Sequence, residues 1–245
     1  MGAFFNEVFY RPFLNTLVFF YNTIAFHDLG LAIIFLTILI RLILFPLFHK
    51  SAHYQAKMQR IQPHLKKIQE THKNDKAKQT QAMMDLYKEH DVNPFSGFLF
   101  LLIQLPVLYE LYQIFRNVLK PEFAVGLYSF VARPDHITPT FLGLINLGAQ
   151  SILMVGIAAV AQYFQGTLAL KTAPTNPNPS PAEKMTRQMV FMGPVLTFVI
   201  FYRLPAAIGL YWAISSLFSI FQQLIINKQI LKQHGTVGNI DQKTS

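Results

Sequence analysis

The stretch LGLAIIFLTILIRLILFPLF, residues 29–48, decides how this chain folds. It is an unbroken apolar run except for the hydroxyl of Thr37 and the charge of Arg41. Its twenty residues, at 1.5 Å of rise per residue, give a helix of roughly 30 Å, which matches the hydrocarbon thickness of a bilayer. The stretch therefore predicts a transmembrane helix that carries an arginine inside it.

The composition extends this prediction to the whole chain. Of the 245 residues, 52% are hydrophobic and only 13% are charged, whereas soluble domains average about a quarter charged residues. The chain has no cysteine, which excludes disulfides, thiolate metal sites and cysteine nucleophiles. A basic segment followed by a short apolar core and a small-residue cleavage site is not visible at the start, so we expect no cleavable signal peptide.

Outside residues 29–48, apolar and polar segments alternate in a regular way. We predict an all-α membrane protein with five transmembrane helices around a hydrophilic groove. The expected order is an amphipathic N-terminal helix at 1–28, transmembrane helices at 29–48, 95–115, 141–170, 188–203 and 204–226, a helical hairpin at 49–94, a loop at 116–140, a Pro-rich linker at 171–187 and a short tail at 227–245.

Two of these segments are amphipathic rather than apolar. Residues 3–27 alternate polar and aromatic faces, which favours a helix lying in the membrane interface over a sixth spanning helix. In the hairpin a heptad stripe predicts helix pairing. The stripe consists of Tyr54, Met58, Ile61, Leu65 and Ile68.

The net charge of +9 has two interpretations, nucleic-acid binding or membrane orientation. The apolar runs favour the second. With five spans, the hairpin, linker and tail share one side and hold fifteen Lys or Arg residues, against five on the other. Basic loops stay in the cytoplasm, so we expect a multi-pass membrane protein with the N-terminus outside and the C-terminus in the cytoplasm.

Arg41 is the residue most in need of explanation. It lies roughly 10 Å deep by helical rise, where an arginine costs from about 3 to over 10 kcal/mol unless it is solvated or paired. Glu110 lies about 12 Å away along the membrane normal, so we expect Glu110 to meet Arg116, Arg203 or the outer water layer instead. Arg41 then favours a wet cavity, with a structural ion pair or a snorkelled side chain as alternatives.

Other polar side chains fall at compatible depths in the remaining predicted spans, which indicates a shared hydrophilic pocket, although each one alone is more often a helix–helix contact. They are Thr37, Gln104, Gln162, Tyr211, Trp212, Ser215 and Ser216. Catalytic motifs are missing. His49 and His53 have a spacing that could bind metal, but their basic, acid-free surroundings favour solvated interface residues, and we predict no metal site and no enzyme.

Several stretches resemble YidC-type membrane protein insertases of the YidC/Oxa family, over about residues 25–230. These are Thr37-Ile-Leu-Ile-Arg41-Leu-Ile-Leu-Phe-Pro46, Met83-Met-Asp-Leu-Tyr-Lys-Glu-His-Asp-Val-Asn93-Pro94, Leu101-Leu-Ile-Gln104-Leu-Pro106, Gly156-Ile-Ala-Ala-Val-Ala-Gln162, Met189-Val-Phe-Met-Gly-Pro194 and Leu210-Tyr211-Trp212. The chain departs from the family pattern at Pro205-Ala206-Ala207, at Gly209 and at Glu110.

The resemblance implies a protein of the bacterial plasma (inner) membrane, with a five-helix fold whose groove opens to cytoplasm and lipid. It implies that the arginine attracts the polar segment of a client while the client's apolar helix enters the bilayer, without cofactor or covalent chemistry. The implied partners are nascent membrane proteins, the lipid bilayer and, in this family, the ribosome and the Sec translocon, with no direct nucleic-acid contact. The implied groove residues are Arg41, Thr37, Gln104, Gln162 and Trp212, to which the spacing adds Tyr211 and Ser215.

Two other functions remain open from the residues alone. The chain could be a small transporter or channel with Arg41 in an anion path, although no internal repeat is visible. It could also be an assembly factor that packs against partner helices without moving clients.

Overall fold

The computed structural model describes residues 3–93, 96–171 and 181–241. Nearly all of this is helical. The helices are α1 (Ala3–Phe5), α2 (Arg11–Thr23), α3 (Leu29–Ile43), α4 (Phe45–Thr71), α5 (Lys76–Glu89), α6 (Ser96–Asn117), α7 (Ile152–Leu170), α8 (Pro181–Phe201) and α9 (Ala206–Asp241), with a π-helical turn at Asn6–Tyr10 and a 3₁₀ turn at Pro121–Gly126. Two strands, β1 (Thr140–Phe141) and β2 (Ile145–Asn146), form an antiparallel hairpin with Thr140 opposite Asn146.

The chain divides into two compact units. The first contains Met1–Leu44, Leu102–Tyr163 and Met192–Phe218, and the second contains Phe45–Leu101, Phe164–Phe191 and Ser219–Ser245. The first unit holds one continuous apolar core, because α2, α3, α6, α7 and α9 each turn an apolar face inward. Its fully buried members include Leu17, Ile33, Ile114, Val155 and Ile208.

In the second unit, α4 and α5 pack together through a smaller apolar cluster. Ile61 and Leu65 of the predicted stripe are buried against Leu86 and Val92. Asp75 caps the start of α5, since its side chain accepts a hydrogen bond from the backbone N–H of Lys78 at 3.0 Å. That bond, the burial of the stripe and the turn before Asp75 are features of a helix pair.

By length and composition, two helices in the described residues could cross a membrane, Ile152–Leu170 and Ala206–Gln229. A third would be the broken pair of α3 and α4. The apolar part of α8, Arg187–Phe201, is shorter. The start of the predicted helix 95–115, residues 94 and 95, lies outside the described residues, as do residues 1–2, 172–180 of the linker and 242–245 of the tail.

The expected segment limits need correction at several places. The helix predicted at 29–48 ends at Ile43, and a new helix starts at Phe45. The helical conformation is interrupted at Leu44, just before Pro46. The helix predicted from 141 starts at Ile152, because residues 140–146 form the strand pair.

The last two predicted helices are longer than expected, because one begins earlier and the other ends later than predicted. The helix placed at 188–203 already begins at Pro181, which occupies the first helical position that proline favours. The tail predicted from 227 continues α9 as helix to Asp241. Polar residues were interpreted there as an end of helix, but a polar sequence without Pro can continue a helix outside an apolar core.

Two asparagines on the polar face of the N-terminal segment contact a later part of the chain. Asn15 is 3% exposed, and its amide nitrogen donates to the carbonyl of Gly126 at 3.0 Å while its amide oxygen accepts from the N–H of Tyr128 at 2.6 Å. Asn22 donates to the carbonyl of Ala132 at 2.7 Å. Asn15 and Asn22 therefore hold the loop that follows α6.

Candidate functional site: a buried arginine among polar side chains

Arg41 lies in the last turn of α3 and is buried, with 5% of its surface exposed. An arginine that snorkelled toward lipid headgroups would be exposed in the isolated chain, so that alternative is wrong for this side chain. The remaining turns of α3 are mainly apolar. Because α3 is buried among helices of the same unit, the guanidinium lies inside the protein.

Tyr211 of α9 lies near this arginine, and Gln104 of α6 contacts that tyrosine. The amide nitrogen of Gln104 donates to the phenol oxygen of Tyr211 at 2.7 Å. Tyr211 is 2% exposed and Gln104 3%. We call these three residues the arginine cluster. They join helices that are far apart in sequence around one charge.

Two further predicted residues are buried next to this cluster along the chain. Thr37 lies one turn before Arg41 and is 1% exposed, but its hydroxyl donates to the carbonyl of Ile33 at 2.6 Å. A hydroxyl satisfied by its own helix contributes polarity without a free donor. Ser215 lies one turn after Tyr211 and is 2% exposed, as is expected for a residue on the same face of α9.

Gln162 and Trp212 belong to a second grouping, which we call the glutamine node. The amide oxygen of Gln162 accepts from the hydroxyl of Thr197 at 2.5 Å and from the indole N–H of Trp212 at 3.2 Å. The node therefore ties α7, α8 and α9 together through one acceptor. The Trp212 ring also meets Phe201 edge to face, with centroids 5.1 Å apart.

Thr197 was missed by the sequence analysis, which named no polar residue in the fourth predicted helix. A signal was present, because Thr197 is the one hydrogen-bonding side chain in the apolar run 189–201. It is 6% exposed. With Thr197, all five predicted membrane helices contribute a polar side chain to the first unit.

Glu110 differs from its predicted environment. It is 1% exposed, and neither carboxylate oxygen makes a hydrogen bond within the described residues. Arg116 instead lies over the ring of Tyr112, with its guanidinium carbon 5.6 Å from the ring centroid. Six residues of helix turn a side chain by roughly 240°, which points Arg116 away from Glu110. The expected contact with Arg116, Arg203 or outer water is therefore wrong for the described residues.

The second unit has a polar layer that the sequence analysis did not find, because it lies where the tail was expected. Asn227 donates to the carbonyl of Leu168 at 3.0 Å, and Gln222 donates to the carbonyl of Phe45 at 3.2 Å. Leu168 is in the last turn of α7, where helix carbonyls need partners from outside the helix. The side chains of α9 thus hold the end of α7 and the beginning of α4.

A cavity of 510 Å³ lies on the helix pair α4–α5. Its walls are mainly apolar and aromatic, with one ammonium group and one carboxylate at the rim. It is lined by Tyr54, Met84, Tyr87, Lys88, Asp91, Val92 and Asn93. Burial raises the pKa of Tyr87 above its ordinary value.

The surroundings of His49 and His53 bear on the metal-binding alternative. Over the described residues, no three His, Asp or Glu side chains come together in a group that could hold a metal ion. His49 stacks on Phe45 instead, with ring centroids 5.5 Å apart.

A mainly helical chain with apolar helices long enough to cross a membrane, and a charged residue buried among polar side chains, defines a polytopic membrane protein with an internal polar site. Residues 19–233 match the family described as "60Kd inner membrane protein". The chain therefore belongs to that family of bacterial inner-membrane proteins, as its resemblance to YidC-type proteins predicted.

Curated relatives and a solved structure agree with this assignment. The chain is 35% identical over 224 residues to "Membrane protein insertase YidC" of Geotalea daltonii, covering 90% of this chain and 37% of the relative. It is 32% identical over 204 residues to the protein of the same name from Fusobacterium nucleatum, covering 82% of this chain and 87% of the relative. The chain thus spans less than two fifths of the Geotalea relative but most of the Fusobacterium one.

The solved structure is a crystal structure of an active YidC insertase with its first transmembrane domain resolved. It superposes with a TM-score of 0.59 at 27% identity, and the match covers 89% of this chain and 46% of that one. The fold of the present chain is therefore that of the relative's shared region.

Proposed function

We propose that this chain is a membrane protein insertase, which integrates the transmembrane segments of client proteins into the bilayer without covalent chemistry. The observation that carries the proposal is the burial of Arg41 inside an apolar unit, near Tyr211 and the Gln104 side chain that donates to this tyrosine. The relatives named above are insertases, and their names support the same function.

The physical task of an insertase is to lower the free-energy barrier that a polar client segment meets when it crosses the membrane. A polar client segment that crosses roughly 30 Å of hydrocarbon leaves its hydrogen-bonding groups unsatisfied, at several kcal/mol per group. A groove lined by Arg41, Gln104 and Tyr211 offers donors and acceptors partway along that path. A fixed positive charge offsets part of the cost for an acidic segment, and the partition of the client's apolar helix into lipid then drives the reaction forward.

The proposed arrangement has five spanning helices around this groove: α3 with the start of α4, α6, α7, α8 and α9. The N-terminus lies outside the membrane, and α4, α5 and the C-terminus lie in the cytoplasm. In this arrangement the glutamine node closes one side of the groove, because Gln162 joins three of the five helices. Thr37 and Ser215 add polar surface next to Arg41 and Tyr211.

The helix pair α4–α5 is the proposed first contact for a client. Its cavity presents Met84, Tyr87 and Val92 together with Lys88. Methionine adapts to irregular apolar surfaces, and the ammonium group suits an acidic flank on the client. The ribosome and the Sec translocon are the further partners that we propose, acting on the cytoplasmic side and in the membrane plane.

The test uses purified protein in lipid vesicles and a single-span client with a short acidic translocated segment. Arg41→Ala should slow the protected insertion of that client, Arg41→Glu should slow it more, and Arg41→Lys should retain part of the rate. A client with a neutral segment should respond less. Arg116→Ala is the matched control, because Arg116 lies over Tyr112 rather than in the arginine cluster.

If both Arg41→Ala and Arg41→Glu insert the acidic client at the wild-type rate while remaining folded, attraction by the guanidinium is wrong. If the wild-type protein inserts no client but passes anions through the vesicle membrane in an Arg41-dependent way, the chain is a transporter or channel.

A further inference from the structure

Two tight turns in the first unit expose large apolar side chains. Phe26, in the turn between α2 and α3, is 86% exposed, and Leu144, at the tip of the β1–β2 hairpin, is 85% exposed. Leu142 in the same tip is 59% exposed. These three residues form what we call the rim patch. None of them contributes to the apolar core, and neither the arginine cluster nor the glutamine node uses them.

The backbone at the rim patch is held in an unfavourable conformation. Phe26, His27 and Leu142 have φ angles of 51°, 58° and 53°. Residues with large side chains adopt positive φ rarely, because the side chain then crowds the backbone. A strained backbone that exposes apolar groups persists only where the rest of the structure fixes it, and it is a reason to look for a function.

Asp28 fixes the two turns to one another. One carboxylate oxygen accepts from the N–H of Leu31 at 2.8 Å, which caps α3, and the other accepts from the N–H of Leu142 at 2.6 Å. Under this link, Gly30 lets Phe141 pack closely, since an added Cβ would lie 2.2 Å from that ring. The hairpin tip is therefore fixed at the level where α3 begins.

That level identifies what covers the rim patch. The apolar helix α3 starts at Leu29, three residues after Phe26, and three residues of chain reach at most about 10 Å. Ile24, in the residues just before, is also exposed, at 45%. An apolar surface continuous with the start of a membrane-embedded helix lies at the boundary between headgroups and acyl chains.

We propose that the rim patch is a lipid-binding surface that inserts Phe26, Leu142 and Leu144 into the membrane interface at the N-terminal end of α3. The occupant is the bilayer itself rather than a protein. The surface anchors the hairpin, and through Asp28 it fixes the start of the helix that carries Arg41.

The test uses single-cysteine variants, which need no background substitutions because the chain has no cysteine. Phe26→Cys and Leu144→Cys carry a nitroxide label, and Asp135→Cys, in an exposed part of the loop before β1, is the matched control. The proteins are reconstituted without client in vesicles of phosphatidylethanolamine and phosphatidylglycerol. The measurement is the collision rate of each label with oxygen, which dissolves in lipid, and with a water-soluble nickel chelate.

We expect a higher ratio of oxygen to nickel collisions at positions 26 and 144 than at position 135 in these vesicles. If labels 26 and 144 collide with nickel as often as label 135 in vesicles, the lipid assignment is wrong. If they are water-exposed in vesicles but protected in native membranes, the rim patch binds a protein, and the proposal is equally overturned. Neither reading depends on client insertion.

Discussion

Replacing Gln162 by leucine removes the acceptor on which the glutamine node depends. The hydroxyl of Thr197 and the indole N–H of Trp212 both donate to its amide oxygen, at 2.5 and 3.2 Å. Interhelical hydrogen bonds inside membrane proteins average about 0.6 kcal/mol and reach about 1.7. Two such bonds give an expected loss of roughly 1–3 kcal/mol in the free energy of unfolding.

A double-mutant cycle separates this effect from the change in side-chain shape. Thr197→Val removes one donor at nearly constant volume. Because the shorter bond accounts for about half of the loss, Gln162→Leu combined with Thr197→Val should cost about 0.5–1.5 kcal/mol less than the sum of the two single changes.

The assay is equilibrium unfolding in mixed detergent micelles, followed by fluorescence. Trp212 is the chain's one tryptophan, so its emission reports the node directly. In Gln162→Leu the emission should shift to the blue even before unfolding, because the indole N–H loses its hydrogen-bond acceptor and gains an apolar neighbour. Additive costs in the cycle, or an unchanged emission maximum, would refute the hydrogen-bonded node. Thr167→Val is the control, because the Thr167 hydroxyl donates only to a carbonyl of its own helix.

Three further changes probe other parts of the structure. Glu110→Gln should raise the free energy of unfolding by about 1–3 kcal/mol, since a buried carboxylate without hydrogen bonds in the described residues loses its charge; a loss of stability in the same micelle assay would contradict this. Gly30→Ala should lower it by about 1–3 kcal/mol through overpacking against the aromatic ring 2.2 Å from the added Cβ, whereas Gly156→Ala, with nothing within 4 Å, should not. The N–H of Lys78 lowers the pKa of Asp75 below its ordinary value. The stabilisation by this cap is therefore fully present when the pH is above the ordinary pKa of Asp, and it is lost as the pH falls through the lowered pKa. As the solution is acidified, the amide exchange rate of Lys78 in the wild-type protein should therefore approach its rate in Asp75→Ala. If the difference between the two proteins is the same at all pH values, this linkage is excluded.

The polar residues of the site were predictable because a polar side chain in a membrane-spanning segment costs free energy. Arg41, Gln104 and Tyr211 stand out in apolar sequence, and the structure brings these three together. The same rule would have found Thr197 if a hydroxyl in an apolar run had been treated as a candidate site residue in the same way as an amide. It did not separate the arginine cluster from the glutamine node, since depth in a helix says nothing about which neighbour a side chain faces.

The ends of the elements were less predictable, and the reason is local. The break at Leu44 follows from Pro46, but its position depends on tertiary packing rather than on proline alone. The strand pair at 140–146 is too short to show an alternating pattern. The helix beyond residue 227 lacks an apolar face to announce it, so the amide contacts of Gln222 and Asn227 could not be expected from periodicity.

The bonds of Asn15 have a consequence for how this protein is made. Its partners, Gly126 and Tyr128, follow it by 111 and 113 positions. At translation rates of about 5–20 residues per second, the early helix waits roughly 5–20 s before those groups leave the ribosome. During that interval its amide nitrogen can donate to the carbonyl of Arg11 in the same helix, but its amide oxygen must be satisfied by water or by another molecule. The helix α2 reaches its final state only after the chain beyond α6 has been delivered to the same side of the bilayer.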